Sequence, residues 1–209
     1  MSNGFKNIEN IKSCIILCGG KSSRMGQDKG SMIIQEKPMI KHVLSTLNHH
    51  INEVIIVLND SSRISKYSEF INTKDYDYTL TFVEDKIKNK GPMPGIMTGL
   101  GQISGNYALV LPCDSPYVSS DYITTIFKEI DKEYQAIVPY HDEHNKLKTS
   151  EPLHSIYNKN TLTIIEDLIS NDVLHIKGLI EKIDTKFVLI DNKKIEKKEF
   201  RNLNRPEDV

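Results

Sequence analysis

Between Leu17 and Lys29 the chain reads LCGGKSSRMGQDK. Two adjacent glycines, Gly19 and Gly20, follow an apolar run, and Arg24 and Lys29 come next. Glycine lets backbone N–H groups approach an anion closely, and concave turns of this kind favour phosphate. Arginine and lysine would neutralise a polyphosphate. Two common phosphate loops do not fit. A Walker loop ending at Gly20-Lys21-Ser22 needs a glycine where the chain has Ile15, and Gly19, Gly20 and Gly26 lack the spacing of a dinucleotide fingerprint.

Other candidate groups stand just after apolar runs. Asp114 follows YALVL, within Pro112-Cys113-Asp114-Ser115-Pro116. A carboxylate at a strand's end suits Mg²⁺, which takes one or two carboxylates plus phosphate oxygens and water. An Asx-type turn before Pro116 would use the same residue. Asn59 follows EVIIVL, where ligands gather in parallel sheets and where asparagine also makes plain turns. Glu84-Asp85 precedes the loop KIKNKGPMPG, with Gly91 and Gly95. A carboxylate such as Asp85 accepts two hydrogen bonds from the N1–H and N2–H₂ edge of guanine, an edge that cytosine lacks. His141-Asp142-Glu143-His144 has no suitably placed third ligand and reads as a solvated loop.

These groups need elements to hold them. Ser13 to Leu17, Glu53 to Leu58, Thr79 to Val83, Tyr107 to Leu111 and Gln135 to Pro139 read as strands. Pro38 to Asn48, Gly95 to Ile103 and Ser120 to Ile130 read as helices between them, the last with Ser119 or Ser120 as N-cap. The second half is less regular: a strand over Leu153 to Tyr157, helices over Leu162 to Ile169 and Leu174 to Lys182, and a late strand over Phe187 to Ile190. Apolar strands alternating with helices imply an α/β fold, a mostly parallel twisted sheet with helices on both faces. The run Lys193 to Lys198 (KKIEKK) reads as a solvated turn.

Composition narrows the functions. The 209 residues carry 27 Lys+Arg against 28 Asp+Glu, which gives no general case for nucleic acid or an anionic membrane surface. The polar N-terminus and the absence of any apolar run near the roughly 20 residues that span a bilayer read as a soluble, cytoplasmic protein. Three cysteines, Cys14, Cys18 and Cys113, have no zinc spacing and suit free thiols in a reducing cytosol.

The segment Gly19-Gly20 with Ser22, Arg24, Met25, Gly26, Asp28 and Lys29 resembles the activating loop of nucleotidyltransferases that act on sugars, isoprenoid precursors and molybdopterin. Within them it is most similar to the molybdenum cofactor guanylyltransferase family, over most of the chain and through several motifs in the right order. The resemblance implies one Rossmann-like nucleotidyltransferase domain over 1–209, with GTP bound by about 11–115 and the acceptor by about 116–209. It implies nucleotide contacts from Leu17, Cys18, Gly19, Gly20, Asn59, Asp85, Gly91 and Gly95, and phosphate contact from Lys29. Arg24 would stabilise the departing pyrophosphate and Asp114 would ligate Mg²⁺. Glu151-Pro152-Leu153-His154 and Asn202-Leu203-Asn204-Arg205-Pro206 resemble acceptor-side segments, which assigns His154, Asn202 and Asn204 to molybdopterin.

The Gly91-Pro92…Gly95 segment and the Gly19-Gly20 pair resemble the guanylyl branch, since cytidylyl relatives carry a different loop and an Ala-Gly pair. Cys18 stands where an alanine is usual, and the chain stops at Val209 where relatives continue into a helix. The implied partners are GTP and molybdopterin, with other cofactor-biosynthesis proteins and recipient molybdoenzymes beyond them. A related transferase using CTP or a sugar phosphate, and a non-catalytic nucleotide-binding regulator on the same fold, stay open beside this reading.

Overall fold

Alternation within each strand decides how the chain layers. In β1 (Ser13–Cys18) the side chains of Cys14, Ile16 and Cys18 point to one face and those of Ile15 and Leu17 to the other, and all are buried. A strand buried on both faces needs cover on both. The computed structural model, which describes residues 11–19, 28–88, 90–190 and 195–203, supplies it with two helical layers around a seven-stranded sheet.

The remaining strands, in chain order, are β2 (Ile33–Ile34), β3 (Lys37–Pro38), β4 (Glu53–Leu58), β5 (Thr79–Glu84), β6 (Tyr107–Pro112), β7 (Ala136–Tyr140), β8 (Ile156–Asn158) and β9 (Thr185–Leu189). The large sheet runs β5-β4-β1-β6-β8-β7-β9, and β2 and β3 form a separate hairpin. All neighbours in the large sheet are parallel except β8, which is antiparallel to both β6 and β7. Helices α1 (Met39–Leu47), α2 (Ser61–Phe70) and α4 (Ser120–Lys128) cover the Cys14/Ile16/Cys18 face. Helices α3 (Met93–Gln102), α5 (Leu162–Ser170) and α6 (Ile176–Ile180) cover the Ile15/Leu17 face. No described helix is long and apolar enough to cross a membrane.

The α/β reading therefore holds, and local departures have local causes. Helix α3 starts at Met93, with Pro92 as its N-cap and Pro94 in the first turn, so the glycine expected to open it lies inside it. The strand expected from Leu153 is shortened to β8, because Pro152–His154 closes a 3-10 turn first. Helix α2 gave little periodic signal: Tyr67 is its single buried residue, although the Asp60 carboxylate caps it at Arg63 N, 3.0 Å. The β2–β3 turn uses Gln35 and Glu36, at φ of 46° and 68°, in place of the usual glycine or asparagine. In the run Lys193–Lys198, Glu196, Lys197 and Lys198 are exposed but Ile195 is buried.

Candidate active site

Register brings the candidate groups together. Leu17 lies opposite both Val57 and Pro112, and Leu58 opposite Glu84. The four parallel strands β5, β4, β1 and β6 thus end level, and the residues just past them share one edge. There a cleft of about 440 Å³ is lined by Leu17, Cys18, Gly19, Lys29, Asn59, Asp85, Gly91, Gly95, Asp114 and Asn202 among others. Ladder bonds carry the alignment past the strand ends: Cys113 N donates to Leu17 O at 3.1 Å, and Asp85 N to Leu58 O at 2.7 Å. Gly20, Arg24 and Asn204 lie outside the described residues.

The glycines on the rim are sterically required. A Cβ on Gly19 would stand 2.7 Å from Asn59 Oδ1, so any side chain there displaces Asn59. Gly91 has a φ of +75°, a conformation that side chains with a Cβ adopt only under strain. A Cβ on Gly95 would press on Leu17 Cδ2 at 3.0 Å.

At one end of the cleft stands Asp85, buried beside Leu17, Val57, Ile87 and Pro92. Its Oδ1 accepts from Ile87 N and Thr98 Oγ1, both at 3.2 Å. Oδ2 sits on the Gly95 side, 3.8 Å from the position of a Cβ on that glycine. Desolvation by burial raises the carboxyl above its ordinary range, against those two hydrogen bonds. A carboxylate held this way gains most from a ligand that presents N–H groups to it.

At the other end Asp114 Oδ2 accepts from Lys29 Nζ at 2.9 Å, with the Asp114 side chain 11% exposed. The strap after the last turn docks on this corner: Leu203 N donates to Asp114 O at 2.9 Å, and Ser115 Oγ donates to Asn202 Oδ1 at 2.6 Å. Asn202 therefore reaches the cleft while its amide is tied to the residue after Asp114. One carboxylate at the edge of a cleft suits a cation that keeps water and phosphate oxygens as its other ligands. Among the described residues no group of three or more His, Cys, Asp and Glu side chains could enclose a metal ion.

His154 does not line the cleft. It is buried, with Nε2 3.0 Å from Ser115 Oγ. Since the Ser115 proton goes to Asn202, Nε2 carries the His154 proton. Burial, then nearby His141, pulls the imidazole down to about 3, so it stays neutral. The loop 141–144 is solvated only in part: His141 turns inward, with Nε2 3.1 Å from Glu151 Oε1 and its ring 5.0 Å from that of Phe200. The sequence did not single out Arg63 or Ser115. The Arg63/Tyr67 spacing, four apart on one helix face, was the available signal for the first.

The class of protein follows from this layout. Carboxyl ends of parallel strands, a glycine rim, a lysine against a carboxylate and a buried acceptor at the far end describe a nucleotide-binding transferase cleft on a Rossmann-like sheet. Solved structures share the fold. The molybdopterin-guanine dinucleotide biosynthesis protein A of Archaeoglobus fulgidus superposes with a TM-score of 0.73 at 24% identity, over 95% of this chain and 94% of that one. The 4-diphosphocytidyl-2C-methyl-D-erythritolsynthase of Anaerococcus prevotii does so at 0.66 and 15%, over 95% and 94%. The chain belongs to the MobA-like NTP transferase domain family, whose model matches residues 14–185, and it is a nucleotidyltransferase. It is 32% identical to a probable molybdenum cofactor guanylyltransferase of Methanothermobacter thermautotrophicus, over 95% of this chain and 98% of that protein. It is 29% identical to one of Flavobacterium johnsoniae, over 93% and 92%. Nucleotidyltransferases of this family typically work with a divalent metal ion.

Proposed function

We propose that this chain transfers GMP from GTP to molybdenum–molybdopterin, forming the guanine dinucleotide cofactor and releasing pyrophosphate. The observation that carries the reading is the pair of carboxylates at the two ends of one cleft: Asp85 buried with an oxygen on the Gly95 side, and Asp114 against Lys29. The relatives named as guanylyltransferases support it.

In this reading Asp85 accepts from guanine N1–H and N2–H₂, and Asn59, which packs close against Gly19, contacts the nucleotide beside it. Leu17, Cys18, Gly91 and Gly95 wall the same pocket. A phosphate oxygen of molybdopterin attacks the α-phosphorus in line; its new P–O bond forms as the bond to the β-phosphate oxygen breaks. The electron pair leaves on pyrophosphate, so the protein needs no nucleophile of its own. Lys29 and Arg24 neutralise the phosphates. Asp114 would hold Mg²⁺, which supplies charge compensation to the triphosphate when bound. Asn202 and Asn204 serve the acceptor. His154 supports Asn202 through Ser115; residues about 11–115 form the nucleotide part of this reading and about 116–209 the acceptor part. Cofactor-biosynthesis proteins and recipient molybdoenzymes are the further partners of this reading, and three buried, unbridged thiols suit a reducing cytosol.

Pyrophosphate release tests it, measured with molybdopterin as acceptor and GTP, CTP or ATP as donor. GTP should be used at least about tenfold better, close to 1.4 kcal/mol. Equal use of CTP would move the chain to the cytidylyl branch, and no release from any donor would favour a non-catalytic binding role.

A further inference from the structure

Asp28 poses a problem for a cleft that receives a triphosphate. It lines the cleft, immediately before Lys29, and a bare carboxylate there would repel the phosphates. We propose that Arg63 and Tyr67 of α2 are positioning residues: they neutralise and lock Asp28, and through it they aim Lys29 into the cleft.

The lock is fully formed. Arg63 grips Asp28 with two prongs, Nη2 to Oδ1 at 2.6 Å and Nε to Oδ2 at 3.1 Å. Tyr67 Oη donates to the same Oδ1 at 2.7 Å, and Gly30 N does so at 3.2 Å. The Asp28 side chain is 11% exposed and that of Arg63 20%. Burial works against the guanidinium charge, but the Asp28 carboxylate outweighs it and holds Arg63 charged, above its ordinary value. A two-pronged pair of this kind fixes orientation as well as charge.

That grip sets the next residue. Asp28 caps the 3-10 turn Lys29–Ser31, whose Gly30 is pressed under α2; a Cβ there would stand 2.3 Å from Tyr67 Oη and 3.2 Å from Cys113 Sγ. The turn is packed tightly under α2, and Lys29 leaves it toward Asp114, 2.9 Å away. The helix that supplies the lock begins two residues after Asn59, with Asp60 as its cap. One rigid element therefore sets both the nucleotide-side amide and the phosphate-side lysine. Arg63 and Tyr67, one helical turn apart, also stack, with the guanidinium carbon 5.9 Å from the ring centre.

The kinetic part rests on the reaction proposed above; the structural part does not. Two readouts separate them. The first is the rate at which an amine-directed acylating reagent labels Lys29, followed by mass spectrometry in the protein without nucleotide. The second is kcat and KM for GTP across a double-mutant cycle of Arg63→Met, Asp28→Asn and the pair. Arg63→Met should raise Lys29 labelling several-fold and lower kcat at least about tenfold, because it leaves an uncompensated anion beside the phosphates. Adding Asp28→Asn should cost nothing further and restore part of kcat. Losses that multiply across the cycle, or labelling that does not change, would overturn the proposal. If Arg63→Met does not fold, Tyr67→Phe and Arg63→Lys read the same two quantities, each expected to shift them in the same direction by less; no shift in labelling for either would also overturn it. A wild type that labels as expected but does not turn over GTP would refute the reaction and leave the lock standing.

Discussion

The two edges of the large sheet each bury a carboxylate, and they treat it in opposite ways. At the edge where β1 and β4 begin, Glu53 Oε1 accepts from Ser13 Oγ at 2.6 Å, Ser104 N at 2.6 Å and Gly105 N at 3.2 Å. Two strands and one loop are tied there, and a Cβ on Gly105 would meet Ile11 O at 2.5 Å. At the edge where the strands end, Asp114 and Asp85 have fewer donors among the described residues, and both line open space. The same element, β4, starts at a carboxylate that accepts three hydrogen bonds and ends beside Asp85, which lines the cleft. Burial alone does not mark a candidate functional acid; a cleft and fewer donors do.

Four experiments would break or sharpen that contrast. The largest effect should come from Asp114→Asn, which keeps the shape and removes a full charge from the corner facing Lys29. Turnover should fall by about 100-fold, near 2.7 kcal/mol, while the melting temperature stays close to wild type. Titrating Mg²⁺ against initial rate decides it, because superimposable curves would make Asp114 a turn residue.

Glu53→Ala should do the reverse. It orphans two backbone N–H groups in a buried corner, at about 1–3 kcal/mol for each. Thermal unfolding should drop by several degrees, at roughly 2–4 °C per kcal/mol for a chain of this size, with kcat retained in the folded protein. A normal melting temperature would remove the contrast.

Asp85→Asn should cost selectivity and no stability. Because burial raises this carboxyl, its ionised form is less favourable in the folded chain than in the unfolded one. Removing the charge should leave the melting temperature at neutral pH equal or higher, while the preference for GTP over CTP falls by about tenfold, 1.4 kcal/mol. Calorimetry with both nucleotides checks this; retained preference would take Asp85 out of the base pocket.

The smallest effect concerns Glu151, which burial pushes up to about 7. The folded state then holds a proton between the ordinary carboxyl range and neutrality that the unfolded state has lost. Its contribution therefore weakens as pH rises from about 4.5 to 7. Glu151→Gln should flatten that part of the curve, and its melting temperature should gain on wild type between pH 5 and 8. A constant difference across that range would show that Glu151 ionises normally.

Much of the molecule was legible before folding. The apolar runs at Ser13, Glu53 and Tyr107 are strands because residues such as Ile15, Val54 and Val110 suit a sheet buried on both faces. Residues just past parallel strands gather at one edge by topology, and Gly19, Asn59, Asp85 and Asp114, named from local pattern and resemblance, line one cleft there. Helix α2 was not legible, since with Tyr67 as its single buried residue it carries no apolar stripe. The interior place of His154 was not legible either, because a histidine beside a proline turn reads alike whether it faces a ligand or Ser115.

The division has a physical reason. Side-chain period, capping and glycine freedom act over a few residues, so the sequence by itself determined the layered α/β architecture, the glycine rim and the list of groups at the strand ends. Partners distant along the chain are chosen by packing. Only the tertiary structure decided that Asp28 pairs with Arg63, 35 residues on, that Lys29 meets Asp114 across 85, and that Ser115 ties Asn202 across 87. No local rule prefers one distant arginine or asparagine over another; the register of β1 between β4 and β6 does, by setting which loops arrive at the same edge.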